Sequence, residues 1–275
     1  MKKIITAVIS GGLFAGLIVM LGKYDVAPIG PQGTTVGFST INKAVHELTG
    51  VNMNWYYCTE WLGYAALLIC ALFALAGLVQ LIRRKSLLKV DKAIYALAVL
   101  YIAVIGIYVF FEKYIVNYRP IIMPGADVPE ASFPSSHTML IITVMVSTAM
   151  VIGRYVKNKA LSGLVAVLCY IVAIITAAGR LLCGVHWLTD IIGGLLISIA
   201  LLSLFSFALE QIRKGELKKQ KPAEFHAVIA EEIPAASSPE KAVASGTETD
   251  PGSDSRESVR GTRTERNEGK YRPKH

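Results

Sequence analysis

The chain has 275 residues, of which 53% are hydrophobic and 17% are charged, and its formal net charge is +8. Soluble domains carry about 25% charged residues, so this composition excludes a soluble globular enzyme, a nucleic-acid-binding domain and a disulfide-framework secreted domain. The basic residues stand in short blocks between apolar runs, which predicts an integral membrane protein with no nucleic-acid partner.

Six apolar segments follow one another along the chain, at residues 4–21, 61–82, 93–111, 139–152, 161–178 and 187–209. A transmembrane helix needs roughly 17–25 mostly apolar residues. The fourth segment reaches that length if its helix begins near Ser135, after Pro134, a residue suited to the start of a helix. For the first segment, a secretory signal peptide is the alternative. We therefore predict an all-α polytopic membrane helix bundle of about six transmembrane helices.

The polar stretches divide the chain into three parts. Residues 1–60 hold the first helix and an outer loop, in which the spacing of Ile41, Val45 and Leu48 predicts a short helix at 40–50. Residues 61–212 form a five-helix core. Residues 213–275 are rich in charged residues, Ser and Pro, and such a composition predicts a disordered tail.

Loop charges determine the orientation, because Lys and Arg are enriched on the cytoplasmic side of membrane proteins. Fifteen of them flank the N-terminus, the loops 83–92 and 154–159, and the exit at 213–221. Five occupy the other side: Lys23, Lys43, Lys113, Arg119 and Arg180. We predict that both termini are cytoplasmic and that residues 23–60, 112–135 and 180–186 face outward. On that outer side Cys58 and Cys183 can form a disulfide, although two free thiols are the favoured interpretation.

Six ionisable residues on the outer side lie at the ends of membrane segments, where charge is costly and indicates function. They are Lys113, Arg119, His137, Arg180, His186 and Asp190. Because all six lie at the outer ends of segments three to six, we expect them to converge. The plainer interpretation is that the basic side chains only extend to the membrane interface.

The chemistry of this group suits a phosphate, since arginine binds phosphate oxygens in a bidentate fork. Ser135 and Ser136 would place hydroxyl and N–H groups at a helix start, which is a further anion site. His186 and Asp190 are four residues apart and share a helix face, so the carboxylate can orient the imidazole. His137 can then donate a proton to a leaving oxygen.

These residues form three motifs that resemble those of the type 2 phosphatidic acid phosphatase superfamily, in its membrane lipid phosphatase branch, which is related to vanadium haloperoxidases. The family pattern is K-x6-R-P, P-S-G-H and S-R-x5-H-x3-D. The chain has Lys113-x5-Arg119-Pro120, Pro134-Ser135-Ser136-His137 and Gly179-Arg180-x5-His186-x3-Asp190. The resemblance covers roughly residues 60–200, and the third motif keeps its Arg, His and Asp at full spacing.

The chain departs from the family pattern in each motif. Ser136 replaces a glycine, and Gly179 replaces a serine. The first motif is one residue short, and Glu112 stands at the family position of the lysine. On a continuous helix, six residues of separation turn Lys113 about 120° away from Arg119. Either the helix therefore loosens before Pro120, or Lys113 is not the family lysine.

The resemblance implies a phosphoryl transfer in two steps, without a metal or another cofactor. In this scheme His186 attacks phosphorus to form a phosphohistidine, Asp190 orients it, and His137 protonates the leaving lipid oxygen. Water then cleaves the phosphohistidine. The implied phosphate ligands are Lys113, Arg119, Ser135, Ser136 and Arg180.

The implied function is that of a cell-membrane lipid phosphatase, whose partners are its lipid phosphate substrate and the surrounding lipids. An outward site suits a carrier lipid such as undecaprenyl diphosphate, used in cell wall biogenesis if the host is bacterial. Phosphatidate or phosphatidylglycerophosphate is the alternative substrate. Two other functions stay open: phosphoryl transfer to a second lipid or a sugar, and a non-catalytic lipid- or anion-binding protein. Nothing in the chain specifies an oligomeric state.

Overall fold

The computed structural model describes the backbone of residues 1–232 and the side chains of residues 1–219. Within that part the chain has seven α-helices and only isolated β-bridges, which confirms the all-α class. The helices are α1 Lys2–Leu21, α2 Ser39–Thr49, α3 Met53–Arg84, α4 Lys92–Lys113, α5 Ser136–Tyr155, α6 Lys159–Leu182 and α7 Leu188–Glu232. Residues Met1–Phe225 form one compact unit, and a second unit, His226–His275, contains the last residues of α7.

Six of the described helices, all except α2, are long and apolar enough to cross a membrane, as the sequence predicted. The helix α2 is the short helix expected at 40–50. The start of α3 differs from the prediction, because the helix begins at Met53 rather than near residue 61. The reason is an N-cap: the side chain of Asn52 accepts hydrogen bonds from the backbone N–H groups of Asn54 and Trp55.

The predicted disordered tail falls mostly on residues that the structure does not describe. The helix α7 continues to Glu232, so the first part of the predicted tail is helical, and residues 233–275 lie outside the described residues. The division at residues 60 and 212 stays an interpretation.

The helix α5 is the centre of the bundle, with ten of its twenty residues buried. Apolar side chains of α3, α5, α6 and α7 meet around it in one cluster that includes Ala66, Ile141, Ala173 and Leu202. The outer sides of the bundle expose many large apolar residues, such as Leu72, and this surface suits lipid. The central helix thereby holds its own N-terminus, Ser136–His137, at a defined position.

The end of the bundle that carries the basic blocks is joined by ion pairs. Arg154 of α5 pairs with Asp91 before α4 and with Glu216 of α7. Lys3 of α1 pairs with Glu210 of α7 at 3.1 Å. These contacts involve no residue of the predicted phosphate site, which lies at the other end of the same helices.

Candidate active site

The predicted site residues lie at the end of the bundle where α3, α5 and α7 begin and where α4 and α6 end. Backbone hydrogen bonds join these helix ends. The N–H of Ser135 donates to the carbonyl of Asp190 at 3.0 Å, and the N–H of Asn52 donates to the carbonyl of Cys183 at 3.1 Å. The two cysteines at this end of the bundle, Cys58 and Cys183, are free thiols.

The loop between α6 and α7 is held tightly against the start of α3. Gly184 has a φ of +66°, and a Cβ at this position would lie 1.9 Å from the carbonyl oxygen of Gly50. Only glycine accommodates both that conformation and that approach. The indole Nε1 of Trp187 donates to the carbonyl of Tyr118 at 2.7 Å. The intervening residue, His186, is therefore presented from a rigid loop.

His186 is buried, with 3% of its surface exposed. Its Nε2 lies 2.9 Å from Nη2 of Arg180. Because a guanidinium only donates hydrogen bonds, Nε2 accepts, and the proton of the neutral ring is on Nδ1. Nδ1 lies 3.6 Å from Oδ2 of Asp190, an ion-pair distance that is longer than a hydrogen bond. Nε2 therefore keeps the electron pair that a nucleophile needs.

Asp190 is fully buried in the first turn of α7. Its Oδ2 accepts the backbone N–H of Trp187 at 2.9 Å, and its Oδ1 accepts Nδ2 of Asn117 at 3.3 Å. A carboxylate in the first turn of a helix also interacts favourably with the helix dipole. Both oxygens are thus held in place beside the imidazole of His186.

The environment of His186 favours its neutral form. Burial of the ring is the largest cause that holds the pKa of His186 well below its usual value, and repulsion from the guanidinium groups of Arg180 and Arg119 is the next. A neutral imidazole is the form that can attack phosphorus, so the charge of the site favours the nucleophilic state.

Arg180 is the largest side chain that the described residues bury completely. Besides its contact with His186, its Nη1 donates to Oγ1 of Thr59 at 3.1 Å and lies 3.6 Å from Oε1 of Glu60. Its guanidinium carbon lies 5.3 Å from the centre of the Tyr56 ring. The guanidinium is therefore held in one orientation by α3 and by the α6–α7 loop.

His137 lies in the first turn of α5 and makes an ion-pair contact with α3. Its Nε2 is 2.9 Å from Oε1 of Glu60. The same carboxylate oxygen lies near Arg180, so one glutamate joins the two predicted functional residues. Both His137 and Glu60 keep part of their side chains exposed, 23% and 22% respectively.

The two predicted serines have different environments. Ser135 is fully buried as the N-cap of α5, and its Oγ accepts from Oγ1 of Thr138 at 2.9 Å. Ser136 is partly exposed and lines the cavity next to His186. Ser136 thus borders open space beside His186, whereas the hydroxyl of Ser135 has a capping role.

Arg119 lies in the segment between α4 and α5, and its side chain is 14% exposed. The N–H of Arg119 donates to the carbonyl of Glu130 at 3.0 Å, and its Nε lies 3.1 Å from Oε2 of Glu130. It lines the same cavity as Ser136 and His186. The structure therefore brings Arg119 to the site.

The structure does not bring Lys113 to the site. Lys113 is exposed and does not line the cavity, whereas its neighbour Glu112 does. The helix α4 ends at Lys113, so the helical rotation assumed for the separation of Lys113 and Arg119 does not apply. The helix therefore loosens before Pro120, which is the first of the two options posed for the shortened motif. The expectation that Lys113 binds phosphate stays a prediction, which its exposed position does not support.

Several buried nitrogens at the site have no hydrogen-bond partner. Each of the four functional side chains keeps at least one: Arg119 Nη1, His137 Nδ1, Arg180 Nε and His186 Nδ1. Unpaired buried polar groups cost free energy and are rare in folded proteins. A concentration of unpaired nitrogens on cationic and imidazole side chains suits an anion that accepts several hydrogen bonds.

Two adjoining cavities lie at this end of the bundle. The smaller, of about 20 Å³, is lined by polar groups that include Arg119, Ser136 and His186. The larger, a cleft of about 360 Å³, has Glu60 and His137 at its polar end and is otherwise mostly apolar. Its apolar lining comes from α3, α4 and α5: Leu67, Val104, Ile105 and Leu140. Because Tyr108, Ser136 and Met139 line both cavities, the polar chamber adjoins an apolar groove.

Sequence reasoning missed three residues that contact the predicted ones: Thr59, Glu60 and Asn117. Glu60 stood one position before the predicted second membrane segment and therefore did not count as an intramembrane charge. The structure places it two turns inside α3. Asn117 is only 1% exposed, and a polar residue in a loop carries no sequence signal of such burial.

Comparison with known proteins agrees with the motifs. The model of the PAP2 superfamily matches residues 93–213, a segment that contains Arg119, His137, Arg180, His186 and Asp190. The family resemblance seen in the sequence is thus confirmed, and no curated protein sequence matches the chain.

The bundle also shares its fold with a solved PAP2 structure. It is similar to the crystal structure of the first transmembrane PAP2 type phosphatidylglycerolphosphate phosphatase from Bacillus subtilis, with a TM-score of 0.56 and 16% sequence identity. The match covers 77% of this chain and 98% of that chain. This chain therefore has the membrane PAP2 fold. The PAP2 segment begins in α4, so Thr59 and Glu60 of α3 lie outside it.

Proposed function

We propose that this protein is an integral membrane phosphatase that hydrolyses a lipid phosphate or diphosphate at the extracytoplasmic face, through a phosphohistidine on His186. The observation that carries the proposal is the arrangement around Nε2 of His186. That atom is unprotonated, and its electron pair accepts a hydrogen bond at 2.9 Å from a fully buried Arg180. Unpaired nitrogens of Arg119 and His137 complete the surroundings.

In the first step, Nε2 of His186 attacks phosphorus, and the bond from phosphorus to the lipid oxygen breaks. A phosphate oxygen takes over the hydrogen bond from Arg180, which frees the electron pair of Nε2. His137 gives a proton to the departing lipid oxygen, and Asp190 stabilises the positive charge that develops on His186. Arg119 and Arg180 bind the charge on the phosphoryl oxygens.

In the second step, water attacks the phosphohistidine. The bond from phosphorus to Nε2 breaks, the electron pair returns to His186, and His137 accepts the proton that the water loses. The products are the dephosphorylated lipid and inorganic phosphate, or a lipid monophosphate and inorganic phosphate if the substrate is a diphosphate. This chain's residues supply each proton transfer in the scheme.

The apolar cleft supports a lipid as the carrier of the phosphate. Its walls include Leu67 and Ile105, which are 52% and 59% exposed on the outside of the bundle, so the cleft opens where lipid would surround the protein. A lipid chain in the cleft would leave its headgroup beside Glu60 and His137. From there the smaller cavity leads to His186.

Charge supports an extracytoplasmic site. The blocks of Lys and Arg at 83–92, 154–159 and 213–219 lie at the helix ends opposite to His186. By the positive-inside rule those ends are cytoplasmic, as are both termini. A site on the outer side suits undecaprenyl diphosphate, our first candidate substrate. Phosphatidylglycerophosphate is the second candidate, because the structural relative is a phosphatidylglycerolphosphate phosphatase.

The proposal is tested by phosphate release from undecaprenyl diphosphate, phosphatidate and phosphatidylglycerophosphate, using the full chain purified in detergent with EDTA present. We expect free phosphate from at least one lipid, and the lipid with the highest kcat/KM identifies the substrate class. Phosphate that appears on a second lipid would indicate a phosphotransferase. Binding of phosphate without turnover of any lipid would indicate a binding protein and contradict the proposal.

The lowered pKa of His186 predicts an activity that persists into mildly acidic solution. Because the folded protein holds His186 neutral, its protonation sets in only below the ordinary histidine pKa of about 6.5. We expect the acid limb of kcat/KM for phosphate release to lie below this ordinary pKa. The contrary result is an acid limb above about pH 6.5 that remains when any other titratable group is substituted. It would contradict a neutral His186 as the nucleophile.

The placement of Lys113 predicts that it is dispensable. We expect Lys113→Ala to change kcat/KM by less than about twofold, because an exposed side chain away from the cavity contributes little. In contrast, Arg119→Ala removes a guanidinium that lines the cavity and should lower kcat/KM by about 10²-fold or more. Equal losses for the two variants in the same assay would restore Lys113 as a phosphate ligand.

A further inference from the structure

Glu60 is the one carboxylate, among the described residues, that contacts both a predicted proton donor and a predicted phosphate ligand. Its Oε1 lies 2.9 Å from Nε2 of His137 and 3.6 Å from Nη1 of Arg180. Arg180 in turn donates to His186. A continuous series of contacts therefore runs from His137 through Glu60 and Arg180 to His186.

The contact with Glu60 determines which edge of the His137 ring is available. The Cδ2–Nε2 edge lies against α3, where a Cβ on Gly63 would come within 3.3 Å of Cδ2 and 3.5 Å of Nε2. Nδ1 is on the opposite edge and has no hydrogen-bond partner. When Nε2–H of His137 donates to Glu60, a protonated His137 ring has a second N–H, on Nδ1. This Nδ1–H is the group that can donate to a substrate oxygen.

The charges around His137 make Glu60 necessary for that protonated state. The titratable and charged groups that face His137 come from α3, α4, the α4–α5 segment, α6 and the α6–α7 loop, and they are Glu60, Tyr64, Tyr108, Arg119, Arg180 and His186. Tyrosine is neutral below about pH 10, and both arginines repel a protonated imidazole. Glu60 is the negative charge in this set.

We propose that Glu60 is a positioning residue that orients His137 through Nε2 and supplies the counter-charge for its protonated form. The proposal rests on the proposed function, in which His137 protonates the leaving oxygen. It adds a residue of α3, outside the PAP2 segment 93–213, to the proton-transfer machinery. Asp190 has the corresponding relation to His186, so each histidine of the site has its own carboxylate.

The same contacts allow a second role, and the test separates the two. A carboxylate between His137 and Arg180 can occupy the position of a phosphate oxygen in the empty site, which substrate would have to displace. Removing that negative charge would then strengthen substrate binding. A positioning residue, in contrast, acts on the chemical step and on its pH dependence.

The experiment compares Glu60→Gln and Glu60→Asp with the unaltered protein over a range of pH, using the best lipid of the substrate panel. For Glu60→Gln we expect kcat to fall by about 10- to 100-fold, part of what a general acid contributes, with KM changed less than about threefold. The alkaline limb of kcat should move to lower pH, because the counter-charge is gone. Glu60→Asp keeps the charge and should retain the position of that limb.

Two controls distinguish failure of this inference from failure of the proposed function. Glu47→Gln removes an exposed carboxylate of α2 that pairs only with Lys43 and should leave kcat, KM and the pH profile unchanged. His137→Ala alone and combined with Glu60→Gln should have equal activity, since a positioning residue acts through its partner. Phosphate release that survives His186→Ala would refute the proposed function independently of Glu60.

Three results would overturn the role of Glu60. They are a Glu60→Gln protein as active as the unaltered one, a KM lowered by the substitution, and a loss of kcat in both variants without any movement of the alkaline limb. The last result would show a merely structural contribution. Elution of each variant as a single species in size-exclusion chromatography, with unchanged thermal unfolding, confirms that activities of folded proteins are compared.

Discussion

We expect His186→Ala to lower the rate of phosphate release by at least about 10⁴-fold, because removal of a nucleophile leaves only the contribution of binding. The substitution removes the atom that forms the covalent bond to phosphorus. Binding of the lipid should change little, since the apolar cleft and Arg119 remain. The measurement is kcat and KM for phosphate release by the purified full chain.

Lys159→Ala is the control for this variant, because it removes an exposed side chain at the end of α6 opposite to the site. It should retain full activity. The imidazole of His186 is buried, so alanine also leaves a cavity, and thermal unfolding must show that the variant is folded at the assay temperature. Activity of a folded His186→Ala protein within tenfold of the original would exclude His186 as the nucleophile.

The second large effect is expected at Arg180. A lysine keeps the positive charge but lacks the planar fork, and it cannot contact Thr59, Glu60 and His186 at once as the guanidinium does. We expect Arg180→Lys to lower kcat/KM by about 10²- to 10³-fold, as removal of a preorganised donor does in other enzymes. Inhibition by inorganic phosphate should weaken in parallel, because the same donor binds the product.

Arg213→Lys is the corresponding control, since Arg213 is an exposed arginine at the opposite end of the bundle. It should leave kcat/KM unchanged. If Arg180→Lys retained kcat/KM within about threefold, the bidentate contact of the guanidinium with phosphate would be contradicted. A loss of activity with unaltered phosphate inhibition would place the role of Arg180 in the orientation of His186 alone.

Much of the bundle was predictable because membrane helices have a strong local signature. Each spanning segment must satisfy its own backbone hydrogen bonds in an apolar medium, so length and hydropathy were sufficient to identify six helices. The start of α5 followed from Pro134 and the capping Ser135. The proximity of His186 and Asp190 was also expected, although not for the reason given by the sequence: His186 lies in the loop before α7, and this loop rather than a shared helix face brings its Nδ1 to 3.6 Å from Oδ2 of Asp190.

The contacts made by α3 were not predictable in the same way. Glu60 reaches His137 across 77 positions of sequence and Arg180 across 120, and no periodicity encodes such a meeting. The boundary of α3 also hid Glu60, because hydropathy finds the apolar part of a helix and not the polar turns that precede it. The cap at Asn52 adds those turns.

The position of Lys113 relative to Arg119 was not predictable for a related reason. The angle of about 120° between Lys113 and Arg119 holds only on a continuous helix, whereas α4 ends at Lys113 and the following residues are irregular. Side-chain direction is predictable from spacing only inside one regular element. Residues such as Arg119 and Asn117, which lie in the segment between α4 and α5, need the tertiary structure to be placed.

The most direct test of the account is to identify the phosphorylated residue during turnover. The full chain is mixed with a lipid phosphate labelled in the phosphoryl group and quenched in alkali within the first turnover, and the labelled peptide is sequenced. We predict a label that is stable to alkali, labile to acid and located on His186, and that is lacking in His186→Ala. A label on another residue, or turnover by the original protein without any labelled intermediate, would contradict covalent catalysis by His186.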